Sequence, residues 1–133
     1  MDLRRMRFLM NRLPMARFRV EKAMAKATKC TAVLTGMPRG GGAGDCAMDS
    51  SMELLEKARG AYAALIAELD QHRQELAPMI DLLDKPLERT VMQLRYIEGM
   101  SGREIAYQLV YSEQHIFREL ATAEKKITAL AER

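Results

Sequence analysis

Glu113, Gln114, Phe117 and Arg118 stand close together near the end of the chain, and each has a side chain that can read a base-pair edge. A glutamine amide bonds adenine in bidentate fashion and an arginine does the same with guanine. A carboxylate accepts from cytosine, and a phenyl ring touches a thymine methyl. His115 lies among them. Ser112, Arg103, Lys125 and Lys126 carry groups suited to phosphates, which position a protein on a duplex without conveying sequence. Other chemistry is poorly supplied. The two histidines, His72 and His115, are far apart, and no nucleophile adjoins a base in the local sequence. Cys30 and Cys46 have no Cys or His partners at metal-ligand spacing, so two reduced thiols are expected rather than a metal site or a disulfide framework. The glycines from Gly40 to Gly44 lack both a Gly-Lys-Ser/Thr ending and a preceding strand, so they read as a tether and not as a phosphate cradle. No enzyme, cofactor or metal is expected.

A helix must hold the base-reading side chains, and the sequence from Leu87 to Ile127 supplies one. It reads as a helix, a tight Gly turn, a short helix, a second tight turn and a longer helix. Gly99 can take the left-handed conformation that ends the first helix. Ser101, with Glu104 three residues on, has the capping-box pattern. Ser112 can cap the last helix, with Glu113 in its positive first turn. Ala106 allows a close helix crossing, and Ile105, Leu109 and Ile116 supply the apolar contacts that fix the angle. Ile116 must therefore face inward, which leaves the Gln114 and Arg118 side outward. This is the order of a helix-turn-helix, in which the second helix enters the major groove. The competing reading is a three-helix packing unit without a ligand.

The segment resembles region 4 of sigma-70-type transcription factors, whose pattern runs leucine-arginine-aromatic, then Gly, then a Ser-capped Glu-Ile-Ala helix, then Ser, a β-branched residue and a basic tail. YSEQHIFREL also looks like the recognition helix of small phage and prophage regulators of the autolysin-regulator-like or late-regulator type, and ATKCTAVLTGMPRGGGAGD resembles their N-terminal half. The resemblance spans residues 25–130 and is strongest from Glu88 to Arg118. It implies sequence-specific binding of double-stranded promoter DNA, with Ser112, Glu113, Gln114, Phe117 and Arg118 at positions that approach DNA in that family. Under this reading the N-terminal helical hairpin mediates dimerisation or contact with host RNA polymerase, and a place at the bacterial nucleoid is expected. Three positions depart from the pattern. Val110 stands in the turn where relatives usually carry Gly or Asn, and a β-branched residue disfavours positive φ, so a shifted turn is expected. Glu124 occupies a usually apolar place, and Leu120 one that is often polar.

The rest of the chain suits an all-α protein. Among 133 residues there are 11 Met and no Trp, and strand-like alternation is nearly absent. Leu3, Met6, Met10, Leu13, Arg17, Val20, Met24 and Ala27 recur at alternating steps of three and four. Met48, Leu55, Tyr62, Leu69, Leu76 and Leu83 recur every seven residues; Ala58, Leu65 and Met79 fill the other seam position, which His72 interrupts. These heptads predict two long helices whose apolar stripes need a partner. With the Gly-rich reversal 35–45 between them, an antiparallel coiled-coil hairpin over residues 1–84 is expected, followed by the helix-turn-helix domain 85–133. The second helix has more stripe than the first can cover, which predicts a homodimer through the hairpin. Pro14 and Pro78 should each kink or divide a helix, and Lys85-Pro86 should start a fresh one.

Charge is distributed unevenly. Residues 1–30 carry nine Lys or Arg against two acids, residues 31–84 four against nine, and residues 85–133 eight against seven. The basic first block can pair with the acidic middle one or lie along phosphate, and pairing is favoured because both blocks carry matching seams. The helix-turn-helix is almost neutral, so its nonspecific attraction to DNA should be weak. No apolar run reaches the length of a membrane span or a signal-peptide core, so no membrane partner and a cytoplasmic location are expected. The alternative function is a DNA-recognition or assembly protein, such as a small-terminase-like subunit of a phage packaging motor. Those join the same two modules, usually in the opposite order.

Overall fold

A computed structural model describes residues 1–36 and 48–133, with the side chains of 30–36 and 48 left aside. The expectations for Cys30, Cys46, the Met48 side chain and the loop from Met37 to Asp45 lie outside the described residues. The described chain is all-α: α1 (Leu3–Gly36), α2 (Met48–Asp81), α3 (Pro86–Met92) continued by a π-helical turn (Gln93–Ile97), α4 (Gly102–Leu109) and α5 (Glu113–Ala131). An N-terminal helical hairpin, α1 and α2, precedes the helix-turn-helix. No described helix is long and apolar enough to cross a membrane. Packing divides the residues into two compact units, one made of Met1–Met10 with Leu69–Arg133 and the other of Asn11–Glu68.

In the unit Asn11–Glu68, α1 turns Leu13, Ala16, Val20, Ala23 and Ala27 inward, buried or half-buried, at steps of three and four. The expected stripe ran instead through Arg17 and Met24, and both are exposed. Leu13, Val20 and Ala27 face inward as expected, while Ala16 and Ala23 replace Arg17 and Met24, because alanine lets two backbones approach and an inward guanidinium would lose its hydration. Arg17 points outward and pairs with Glu21 at 3.2 Å. From α2, Leu55 is buried and Ala58, Tyr62 and Leu65 are half-buried, so the seven-residue repeat faces inward as its period predicts.

The other unit carries most of the fully buried bulk. Leu69, Leu76, Ile80 and Leu83 continue the α2 repeat, Leu3, Met6 and Leu9 come from the start of α1, and Val91, Met92 and Tyr96 come from α3 and its π turn. His72 is half-buried on the α2 seam, and its Nδ1 is buried with no hydrogen-bond partner. Pro86 opens α3 at its first turn, as its fixed φ favours. Pro14 and Pro78 each lie inside a continuous helix, so neither divides its helix. Both are exposed, so the carbonyl that each leaves without an amide partner can turn to water.

One buried polar pair ties α3 to α5. Glu88 is fully buried, and both its carboxylate oxygens accept from Lys126 Nζ, at 3.0 and 2.9 Å. The expectation that Lys126 serves phosphates therefore gives way to an inward role: a buried carboxylate must be neutralised, and Lys126 is the cation within reach.

Candidate nucleic-acid interface

The interface is assembled by the way each helix ends. The π turn stops at Gly99, whose φ of +78° is open to glycine at little cost. There the Met100 amide donates to the Leu94 carbonyl at 2.9 Å, and Arg73 Nε from α2 donates to the Tyr96 carbonyl at 2.7 Å. Carbonyls that the helix end would leave orphaned are thus satisfied. Ser101 then caps α4, its hydroxyl accepting from the Glu104 amide at 3.2 Å, as the S-x-x-E spacing predicts. Ser112 caps α5 in the same way, accepting from the His115 amide at 3.2 Å.

Between these caps lies Val110, at φ 60° and ψ 45°. The expected shift of the turn does not occur. The left-handed geometry that favours Gly or Asn is reached here by a β-branched residue, and the Tyr111 amide closes the turn onto the Ala106 carbonyl at 3.0 Å. The packing of α5 against α3 and α4 fixes the turn and overrides local preference. A left-handed L-residue is disfavoured by about 1–2 kcal/mol. Val110 is also 89% exposed, so its side chain offsets little of that by burial. Val110→Gly should therefore raise stability by about 1 kcal/mol, net of glycine's greater freedom when unfolded, measured as a shift in the urea midpoint at unchanged slope.

Ile116 anchors α5. It is fully buried, with Ile105 and Ala106 of α4 buried beside it and Leu120, Ala123 and Ile127 continuing the inner face. Leu120 lies in the core. Glu124 can be half-buried because both its carboxylate oxygens are bonded. Tyr96 Oη donates to Glu124 Oε1 at 2.7 Å, and Arg7 Nη1 donates to Glu124 Oε2 at 3.1 Å and to Tyr96 Oη at 3.3 Å. Burial, reinforced by the Glu124 carboxylate, pushes the Tyr96 phenol well above its usual pKa. Burial works against the Arg7 charge, but Tyr96 and Glu124 outweigh it and hold that guanidinium above its ordinary value.

With the inner face fixed, the outer one follows. Ser112, Glu113, Gln114, Phe117, Arg118 and Lys125 are exposed, and His115 is half-buried. Gln114, Arg118 and Lys125 lie four and seven residues apart in turn and share one stripe of α5. Arg103 is exposed on α4 and its Nε donates to Glu113 Oε1 at 3.1 Å, so two of the expected contact residues are joined across the motif. His115 stacks on Tyr111 with ring centroids 4.9 Å apart, and its Nε2 lies 4.0 Å from Glu119 Oε1. Phe117 is 53% exposed, and one side of its ring covers Gly102 so closely that a Cβ there would sit 2.5 Å from Cε1. Sequence reasoning missed Tyr107, Val110 and Tyr111, which leave an exposed apolar edge at the turn. Their placement beside the caps was the available signal.

The fold and this surface define an all-α protein with a C-terminal helix-turn-helix. The chain belongs to the family described as Protein of unknown function (DUF1492), which matches residues 40–128. No curated protein and no solved structure matches it.

Proposed function

We propose that this protein is a sequence-specific DNA-binding transcriptional regulator of phage or prophage type, with α5 as the helix that enters the major groove. The observation that carries the reading is the division of α5 into two faces. Ile116 is wholly buried, while Glu113, Gln114, Phe117 and Arg118 stand exposed in the first turns after a Ser-capped start. Base-reading side chains near the N-terminus of a second helix are what groove docking requires. Ser112 and Arg103 flank them, toward phosphates. RNA polymerase as a partner and a location at the nucleoid belong to the same proposal, supported by the sigma region 4 resemblance from Glu88 to Arg118.

The test is selection of bound fragments from the parent genome at two salt concentrations, followed by Arg118→Ala and Gln114→Ala on the selected duplex. Each substitution should weaken binding by about 1–3 kcal/mol and relax preference at one base position. Enrichment that vanishes uniformly as salt rises, with affinity indifferent to both substitutions, would leave only backbone attraction and end the proposal.

A further inference from the structure

The hairpin unit Asn11–Glu68 has a groove of about 500 Å³ between α1 and α2. Its rim is Arg19, Lys22, Lys26 and Lys57, its floor includes Leu54 and Ala58, and no carboxylate lines it. None of the four cations has an ion pair among the described residues. Elsewhere in the same unit, Asp49, Glu53 and Glu56 are exposed at steps of four and three, which sets three carboxylates along one side of α2 with exposed Met52 beside them. Lys57 follows Glu56 directly and lies one turn from Glu53, so the acidic side and the basic rim are neighbours on α2. Exposed apolar side chains accompany these charges: Met15, Phe18, Met24, Met52 and Leu54 all belong to this unit.

We infer that the hairpin is a self-complementary surface that receives a second copy of this chain, the Asp49, Glu53 and Glu56 side of each copy seating on the Arg19, Lys22, Lys26 and Lys57 rim of the other. A two-fold interface uses one patch on both subunits, so it needs both signs of charge close together on the same surface. Here the acidic side of α2 adjoins a rim built by Lys57 of α2 with Arg19, Lys22 and Lys26 of α1. Apolar contact over the groove floor supplies the attraction, and the charges set the register and reject mismatched partners. This inference stands independently of whether α5 reads DNA.

The experiment is sedimentation equilibrium of the full chain and of two charge-reversed forms, Lys22→Glu/Lys26→Glu/Lys57→Glu and Glu53→Lys/Glu56→Lys. All the substituted side chains are exposed, so both forms should keep wild-type helicity, and circular dichroism checks this. The wild type should dimerise. Each reversed form alone meets itself with like charges and should dimerise about a hundredfold more weakly or worse. Mixed together, the two forms are complementary at both contacts and should restore a one-to-one dimer. A wild type that stays monomeric at high concentration would overturn the inference. So would a dimer indifferent to either reversal, or two reversed forms that fail to rescue each other. Binding of the wild-type monomer to generic duplex DNA, lost in the lysine-reversed form, would reassign the rim to nucleic acid.

Discussion

Lys126→Met should lower folding stability by about 3 kcal/mol, because it leaves the Glu88 carboxylate buried without a cation. Glu88 is 0% exposed in the core, and both its oxygens accept from Lys126. The low end of the usual range applies, since the Lys126 side chain is 41% exposed and water can partly replace it. Removing both partners should behave differently. Glu88→Leu with Lys126→Met swaps a desolvated ion pair for apolar contact and should come within about 1 kcal/mol of the wild type, or exceed it. Urea unfolding at neutral pH of the wild type, the two single variants and the double variant measures the coupling. A cost under about 1 kcal/mol for Lys126→Met would place the pair among ordinary surface bridges.

Tyr96→Phe should cost about 1–2 kcal/mol at neutral pH and also change how stability falls in alkali. The Tyr96 hydroxyl donates to Glu124 and accepts from Arg7, so its loss leaves Glu124 with the Arg7 bond only. Burial first and the Glu124 carboxylate second raise the phenol pKa above the ordinary 10.0. The folded chain therefore holds this proton more tightly than the unfolded chain. The contribution to stability is whole below pH 10, the unfolded value, and is lost as pH climbs from there toward the raised folded value. In that window the wild type should lose up to about 1.4 kcal/mol per pH unit more than the phenylalanine variant. Unfolding of both proteins at about pH 8 and about pH 11 isolates the effect, because the other titrating groups are common to both. Parallel losses would mean that Tyr96 keeps an ordinary acidity and that Glu124 does not bear on it.

The parts of this fold that were legible in its sequence are those governed by local rules. The leucines at seven-residue spacing in α2, the serine caps at Ser101 and Ser112, the glycine at the π-turn end and the inward Ile116 all follow from period and backbone chemistry within a few residues. What was not legible depends on contacts between remote residues. Arg7, Tyr96 and Glu124 come from three different helices, and a half-buried glutamate in a helix looks like any solvated one until its partners converge. Glu88 and Lys126 have the same origin. Two positions of the α1 stripe, Arg17 and Met24, give way to Ala16 and Ala23, because hydropathy ranks Met24 above Ala23 whereas close packing of two helices favours the smaller side chain. Val110 was misjudged for a related reason: its local preference is real, but the neighbouring helices impose the turn.

The composition of the larger packed unit bears on how the chain folds. Leu3, Met6, Leu9 and Arg7 belong to it together with everything from Leu69 onward, although the stretch Asn11–Glu68 intervenes. Its core therefore cannot be completed until the ends of that stretch have been brought together, and the entropy lost in closing it grows only slowly with length. The hairpin performs that closure, since α1 and α2 each run through both units. The bond between Arg7 and Glu124, 117 residues apart, makes part of this core a contact of long sequence separation, the kind that slows folding.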